Sequence, residues 1–90
     1  MSLVWTMEAR QDRRAIFDYI EMRDVRAALE MDKLFSKKAN KLTTVAQLGK
    51  QGRVPGTRAL VVHKRYVLVY EVAGDHIHVL RVLHTARQWP

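Results

Sequence analysis

The 90-residue chain contains no cysteine, so neither a disulfide nor a thiolate metal site can support its fold. That absence fits a reducing compartment, and a cytoplasmic setting is expected. No apolar run approaches the roughly 20 residues that span a bilayer, and the opening Met1-Ser2-Leu3-Val4-Trp5-Thr6 passes straight into charged residues without the apolar stretch of a secretion signal. No membrane contact is expected. Acidic residues are scarce: 9 Asp and Glu stand against 16 Lys and Arg, a formal balance of +7. The deficit is concentrated late in the chain. Residues 1–48 carry 9 cations and 7 anions, whereas residues 49–90 carry 7 and 2. A second half with so little internal compensation favours a polyanion or an acidic protein as partner.

What is present is enough apolar material, 48% of residues, for one globular domain over residues 1–90. Leu3-Val4-Trp5 has the composition of a short strand. Thr6 can cap a helix starting near Met7, with Glu8 and Asp12 suited to its positive end. Ala9, Ile16, Tyr19 and Ile20 form its apolar stripe, and Arg13, which interrupts the stripe, is expected to lay its stem on the core edge and keep its head in water. After a break at Met22–Val25, a longer helix is expected from about Arg26 to Leu48, burying Ala28, Met31, Phe35, Leu42 and Val45. Gly49, Gly52, Pro55 and Gly56 then mark a loop. They are read as turn residues, because the lysine-serine ending of a phosphate loop is missing.

Three β-rich runs follow, at Ala59–His63, Tyr66–Val72 and His76–Leu83, joined by Lys64-Arg65 and by Ala73-Gly74-Asp75. They predict an antiparallel meander packed on the helical hairpin, an α+β fold. The strands are apolar on both faces, so a second cover is expected: the tail, another copy or a partner. Arg81 falls in register with Ile77, Val79 and Leu83. It needs a carboxylate, with Glu71 or Asp12 as candidates, and is assigned a structural role. His76 and His78 share a strand face without an acidic or cysteine companion, and His63 stands apart, so no metal site is expected.

Several pieces taken together carry a resemblance. They are Trp5-Thr6, Ala9-x-x-Asp12, Ile16-x-x-Tyr19-Ile20, Ala27-Ala28, Gly52-Arg53-Val54-Pro55-Gly56-Thr57-Arg58, Tyr66-x-x-x-Tyr70, Arg81-Val82-Leu83-His84 and the terminal Gln88-Trp89-Pro90. In this order, over essentially the whole chain, they resemble the RelE/ParE toxin superfamily of type II toxin–antitoxin systems. The resemblance implies two N-terminal helices packed on a small antiparallel sheet, and a cognate antitoxin whose arm wraps the toxin into a hetero-oligomer. It implies one of two targets. RelE-like members cut mRNA in the ribosome, the first reading here, while ParE-like members inhibit DNA gyrase.

For the ribonuclease, the resemblance places Arg87 where a transition-state arginine belongs and Arg58 where a basic residue meets substrate. An unperturbed imidazole changes charge at ~6.5, so His84 is the candidate acid or base, or else a packed strand-end residue. His63, Lys64, Arg65 and Arg53 are candidates for contacting RNA or another target. Trp89 can stack on a base or plug the core. Internal attack by a 2′-OH needs a proton acceptor, cations and an acid, so no cofactor or metal is expected. The chain departs from RelE at two positions: Val67 replaces a cleavage arginine, and Leu60 replaces one of two lysines.

Overall fold

The computed structural model describes residues 1–87. Its elements are β1 (Ser2–Trp5), α1 (Met7–Glu21), α2 (Val25–Lys41), β2 (Lys50–Gln51), β3 (Thr57–His63), β4 (Tyr66–Ala73) and β5 (His76–His84). They form an α-helical hairpin on one face of a five-stranded sheet of order β1-β5-β4-β3-β2. β3, β4 and β5 are the expected antiparallel meander, but β1 adds to β5 in parallel, so the sheet is mixed. The two helices between β1 and the meander form the long connection that brings β1 in beside the last strand.

Local chemistry sets the helix ends. The Thr6 hydroxyl accepts from the Ala9 N–H (3.1 Å) and donates to the Leu80 carbonyl (2.9 Å), so one side chain both starts α1 and ties it to the sheet. Asp24 caps α2 by accepting from the Ala27 N–H at 3.1 Å. α2 stops at Lys41, well short of Leu48. The hydroxyls of Thr43 and Thr44 turn back onto the Asn40 and Lys41 carbonyls, and three consecutive β-branched residues, Thr43-Thr44-Val45, disfavour another turn. Val45 is consequently exposed, not buried. The stripe on α1 is also narrower than its spacing predicts, because Tyr19 is 62% exposed.

The core lies between the hairpin and one sheet face. Ala9, Phe35, Ala39 and Leu42 meet Leu60, Val62, Tyr66, Leu68, Tyr70, Ile77, Val79 and Val82. The fully buried Tyr70 hydroxyl donates to the Ala46 carbonyl (2.7 Å) and accepts from the Gly49 N–H (2.9 Å), which pins the chain after α2 to the sheet. A Cβ at Gly49 would lie 2.8 Å from the Tyr70 ring, so only glycine permits this approach. Arg13 does not send its head to water. It bonds Asp32 at 2.9 Å and Ser36 at 2.9 Å, and its guanidinium sits 4.4 Å above Trp5, locking the two helices to β1.

Candidate functional site

Alternation along the strands sends Ala59, Val67, Val69 and Leu83 to the sheet face away from the helices. There they floor a groove of about 400 Å³, walled by Gly52, Arg53 and Thr57 on one side and by Arg87 on the other. The wall is held by the Gly52 N–H donating to the Thr57 carbonyl at 2.8 Å and by the Thr57 hydroxyl donating to the Val54 carbonyl at 2.6 Å. A Cβ at Gly52 would collide with the Thr57 hydroxyl. The second cover expected for this face is therefore partly supplied by the chain. Val69 and Leu83 are buried, while Val61 remains exposed.

A second concavity of about 290 Å³ opens on the helix side of the same sheet end. It is lined by Asp12, Ala15, Ile16 and Tyr19 of α1 with Arg65, Tyr66, Val82, His84 and Arg87. Thr85 builds it: its N–H donates to the Arg65 carbonyl (2.8 Å) and its hydroxyl to the Lys64 carbonyl (3.1 Å), holding the segment after β5 against the β3–β4 hairpin. The chain then turns, with the Arg87 N–H on the His84 carbonyl at 2.9 Å. The His84 Nδ1 accepts from the Ala86 N–H at 3.1 Å, leaving Nε2 for a ligand. The Tyr66 ring stands edge-on to Phe35 and to His84, each at 5.7 Å. Burial pushes the Tyr66 phenol above its ordinary pKa, with Tyr19 adding to the rise and Arg65 opposing it. At neutral pH the phenol is a hydrogen-bond donor.

The structure therefore brings His84, Arg87 and Arg65 together and sets Arg53 with Arg87 across the groove. Arg58 is elsewhere. It pairs with Tyr70, whereas His84 pairs with Tyr66 four residues along β4, roughly 13 Å away at ~3.3 Å per residue. Its guanidinium donates to the Gly49 carbonyl at 2.8 Å. Lys64 lies exposed at the hairpin tip, and the half-buried His63 accepts from the Arg65 N–H at 3.2 Å. Leu60 is buried in the core. Trp89 lies outside the described residues.

Arg81 reaches Asp12, at 2.7 and 3.0 Å, and not Glu71. A bulge at Leu80 shifts the register between Val69↔Arg81 and Tyr70↔Val79, which takes Arg81 out of the Ile77–Val79 alternation. Asp12 also accepts from the Val82 N–H at 2.9 Å, filling the edge of β5 where β1 has ended. These bonds hold the Arg81 guanidinium more firmly protonated than usual, against the opposing effect of burial. The two strand histidines do have acidic companions: His78 is 3.5 Å from Glu71 and His76 is 3.5 Å from Asp75. Cross-strand pairing of Glu71 with His78 placed one of them where sequence order could not show it. Among the described residues no group of three or more such side chains is arranged to hold a metal ion.

Sequence reasoning missed Tyr19 and Tyr66 in the hollow and Thr57 in the groove wall. For Tyr66 a signal was available: it opens β4 next to the hairpin that carries Arg65 and so faces the end of α1.

Comparison with known proteins agrees with this architecture. The profile of the ParE toxin of the type II toxin–antitoxin system, parDE, matches residues 3–89. Toxin RelE2 of Caulobacter vibrioides is 35% identical over 85 residues, which span 94% of this chain and 96% of its own. A chain of the chromosomal ParDE toxin–antitoxin system of P. aeruginosa superposes with a TM-score of 0.85 at 30% identity, over 93% of this chain and 95% of that one. A chain of the toxin–antitoxin complex RelBE2 of Mycobacterium tuberculosis shares the fold, with a TM-score of 0.57 at 23% identity over 92% and 95% of the two chains.

Proposed function

The chain belongs to the ParE toxin family of type II toxin–antitoxin systems, and from that premise we propose that it arrests growth by binding DNA gyrase through the outer groove of its sheet, without cutting RNA. The observation that carries this reading is the groove floor. Ala59, Val67, Val69 and Leu83 are apolar, and the ionisable groups lining the groove are Arg53 and Arg87. Two arginines can hold an anionic partner, but a guanidinium stays charged and cannot shuttle a proton at neutral pH. Internal attack on RNA needs a proton acceptor and an acid beside the cations. Binding by apolar contact bracketed by two cations needs neither.

The same groove suits a cognate antitoxin whose arm presents apolar side chains flanked by carboxylates. Toxin and antitoxin would then form a hetero-oligomer in the cytoplasm and mask the gyrase-binding surface. The relative from P. aeruginosa, described as part of a ParDE toxin–antitoxin system, supports such a partner here.

A second reading, ribosome-dependent cleavage of mRNA, is favoured by one observation: His84, Arg65 and Arg87 share the hollow with the Tyr66 phenol. Expression without antitoxin separates the two. The gyrase reading expects filamentation and a DNA-damage response with intact transcripts. Growth arrest with mapped cuts in translated mRNA, and no DNA-damage response, would replace it with the second reading.

A further inference from the structure

We propose that His76 and His78 chelate one divalent transition-metal ion of the nitrogen-preferring class, Zn²⁺, Ni²⁺ or Cu²⁺, on the outer face of the sheet. The inference does not depend on which growth-arrest target is correct, since neither histidine lines the groove or the hollow.

The strand sets up the pair. His76 and His78 lie two apart in β5, so both side chains leave the same face. Their rings stack, with centroids 6.0 Å apart and planes 27° from parallel. The side chains are 49% and 34% exposed, so an ion reaches them from solvent without opening the fold. A shared ion takes each nitrogen at ~2.0–2.1 Å and therefore needs the two ligating nitrogens about 3 Å apart. Rings that already face each other reach that separation by side-chain rotation alone, while β1 and β4 hold β5 on both sides.

The neighbouring carboxylates decide which nitrogen each ring offers. Glu71 stands 3.5 Å from the Nδ1 of His78, and Asp75 stands 3.5 Å from the Nε2 of His76. A carboxylate beside one ring nitrogen favours the proton there and leaves the lone pair on the other, Nε2 of His78 and Nδ1 of His76. A carboxylate behind the ring is the usual companion of a metal-ligating histidine, raising its basicity and fixing its orientation. Imidazole ligands select Zn²⁺, Ni²⁺ and Cu²⁺ over Mg²⁺ and Ca²⁺, which prefer oxygen. Because no group of three or more ionisable side chains is arranged to hold an ion among the described residues, the chain supplies two ligands and water completes the coordination. Glu71 pairs with Thr57 of the groove wall, so a bound ion adds positive charge to the sheet face that carries Arg53 and Arg87.

The test titrates Zn²⁺ into the intact chain, with calorimetry and the NMR signals of the histidine rings as readouts and Mg²⁺ as the oxygen-preferring comparison. The expected result is saturation at one Zn²⁺ per chain, with shifts at His76 and His78 and no response to Mg²⁺. His76→Gln and His78→Gln each weaken binding at least about tenfold, and Glu71→Gln weakens it about tenfold. His63→Gln, at the other end of β4 beside Tyr66, leaves affinity within about twofold. Val4 pairs with His78 and is 40% exposed, so Val4→His sets a third imidazole beside the pair and tightens binding at least about tenfold. Absence of saturable Zn²⁺ binding, an equal response to Mg²⁺, or shifts confined to His63 and His84 would overturn the proposal. So would affinity that is undiminished in both His76→Gln and His78→Gln, or unchanged in Val4→His.

Discussion

Replacing Asp12 by alanine should unfold the chain more readily than any surface substitution, because Asp12 serves two partners. Its side chain is 14% exposed and that of Arg81 25% exposed. Breaking a fully buried pair costs about 3–5 kcal/mol, while an exposed pair contributes about 0–1. Arg81 can recover part of its hydration, so its share falls to about 1–2 kcal/mol. The Val82 N–H loses its acceptor, which adds about 1–2 kcal/mol. The expected total of about 2–4 kcal/mol is large against the ~5–13 kcal/mol that ~0.05–0.15 kcal/mol per residue allows a chain of this length. Asp12→Asn keeps an acceptor for Val82 and should cost about half as much. Urea unfolding monitored by circular dichroism measures both variants, and the Val82 amide should lose hydrogen-exchange protection in the alanine variant. A loss below about 0.5 kcal/mol with protection at Val82 unchanged would show that the bulge at Leu80 stands without Asp12, and the argument for Arg81 as a structural charge would fail.

Other sites give independent tests. Tyr70→Phe removes the hydroxyl shared by Ala46 and Gly49 and should cost about 1–3 kcal/mol in urea unfolding. Gly49→Ala forces a methyl group onto the Tyr70 ring and the Ala59 carbonyl and should cost about 1–3 kcal/mol by the same measurement. Because the folded Tyr66 phenol holds its proton above the ordinary value, its contribution is complete below about pH 10 and is lost as pH rises through the folded pKa. Ultraviolet titration of the phenolate should therefore show a late-ionising component that is lost in Tyr66→Phe.

Much of the fold was legible because its signals are local. Thr6 and Asp24 cap helices where hydroxyl and carboxyl side chains precede helical spacing, and the Lys64-Arg65 and Gly74 turns separate runs of β-branched residues. Gly74 takes φ +61°, as a two-residue hairpin turn requires. The parallel pairing of β1 with β5 is set by contacts more than 70 residues apart along the chain, such as Ser2 with His76, and no local pattern reports it. The bulge at Leu80 was invisible for a related reason. Strict alternation assigns Arg81 to the face of Ile77 and Val79, and only the end of β1 and the arrival of Asp12 explain why the strand skips a residue there. The site was legible by residue type more than by grouping. Arg87, His84 and Arg65 converge because Thr85 bonds back to the β3–β4 hairpin, a tertiary contact. Arg58, equally basic, is drawn to the Gly49 carbonyl at the other end of the sheet.

Inhibition of purified DNA gyrase tests the central reading most directly. In a supercoiling assay the wild-type chain should suppress the enzyme in proportion to its concentration, and His84→Ala should do the same. Val67→Asp, placing a carboxylate in the groove floor between Arg53 and Arg87, should abolish suppression while circular dichroism shows an intact fold. Full supercoiling at saturating wild-type chain, or suppression that survives Val67→Asp, would contradict the assignment of the outer groove as the surface that engages gyrase.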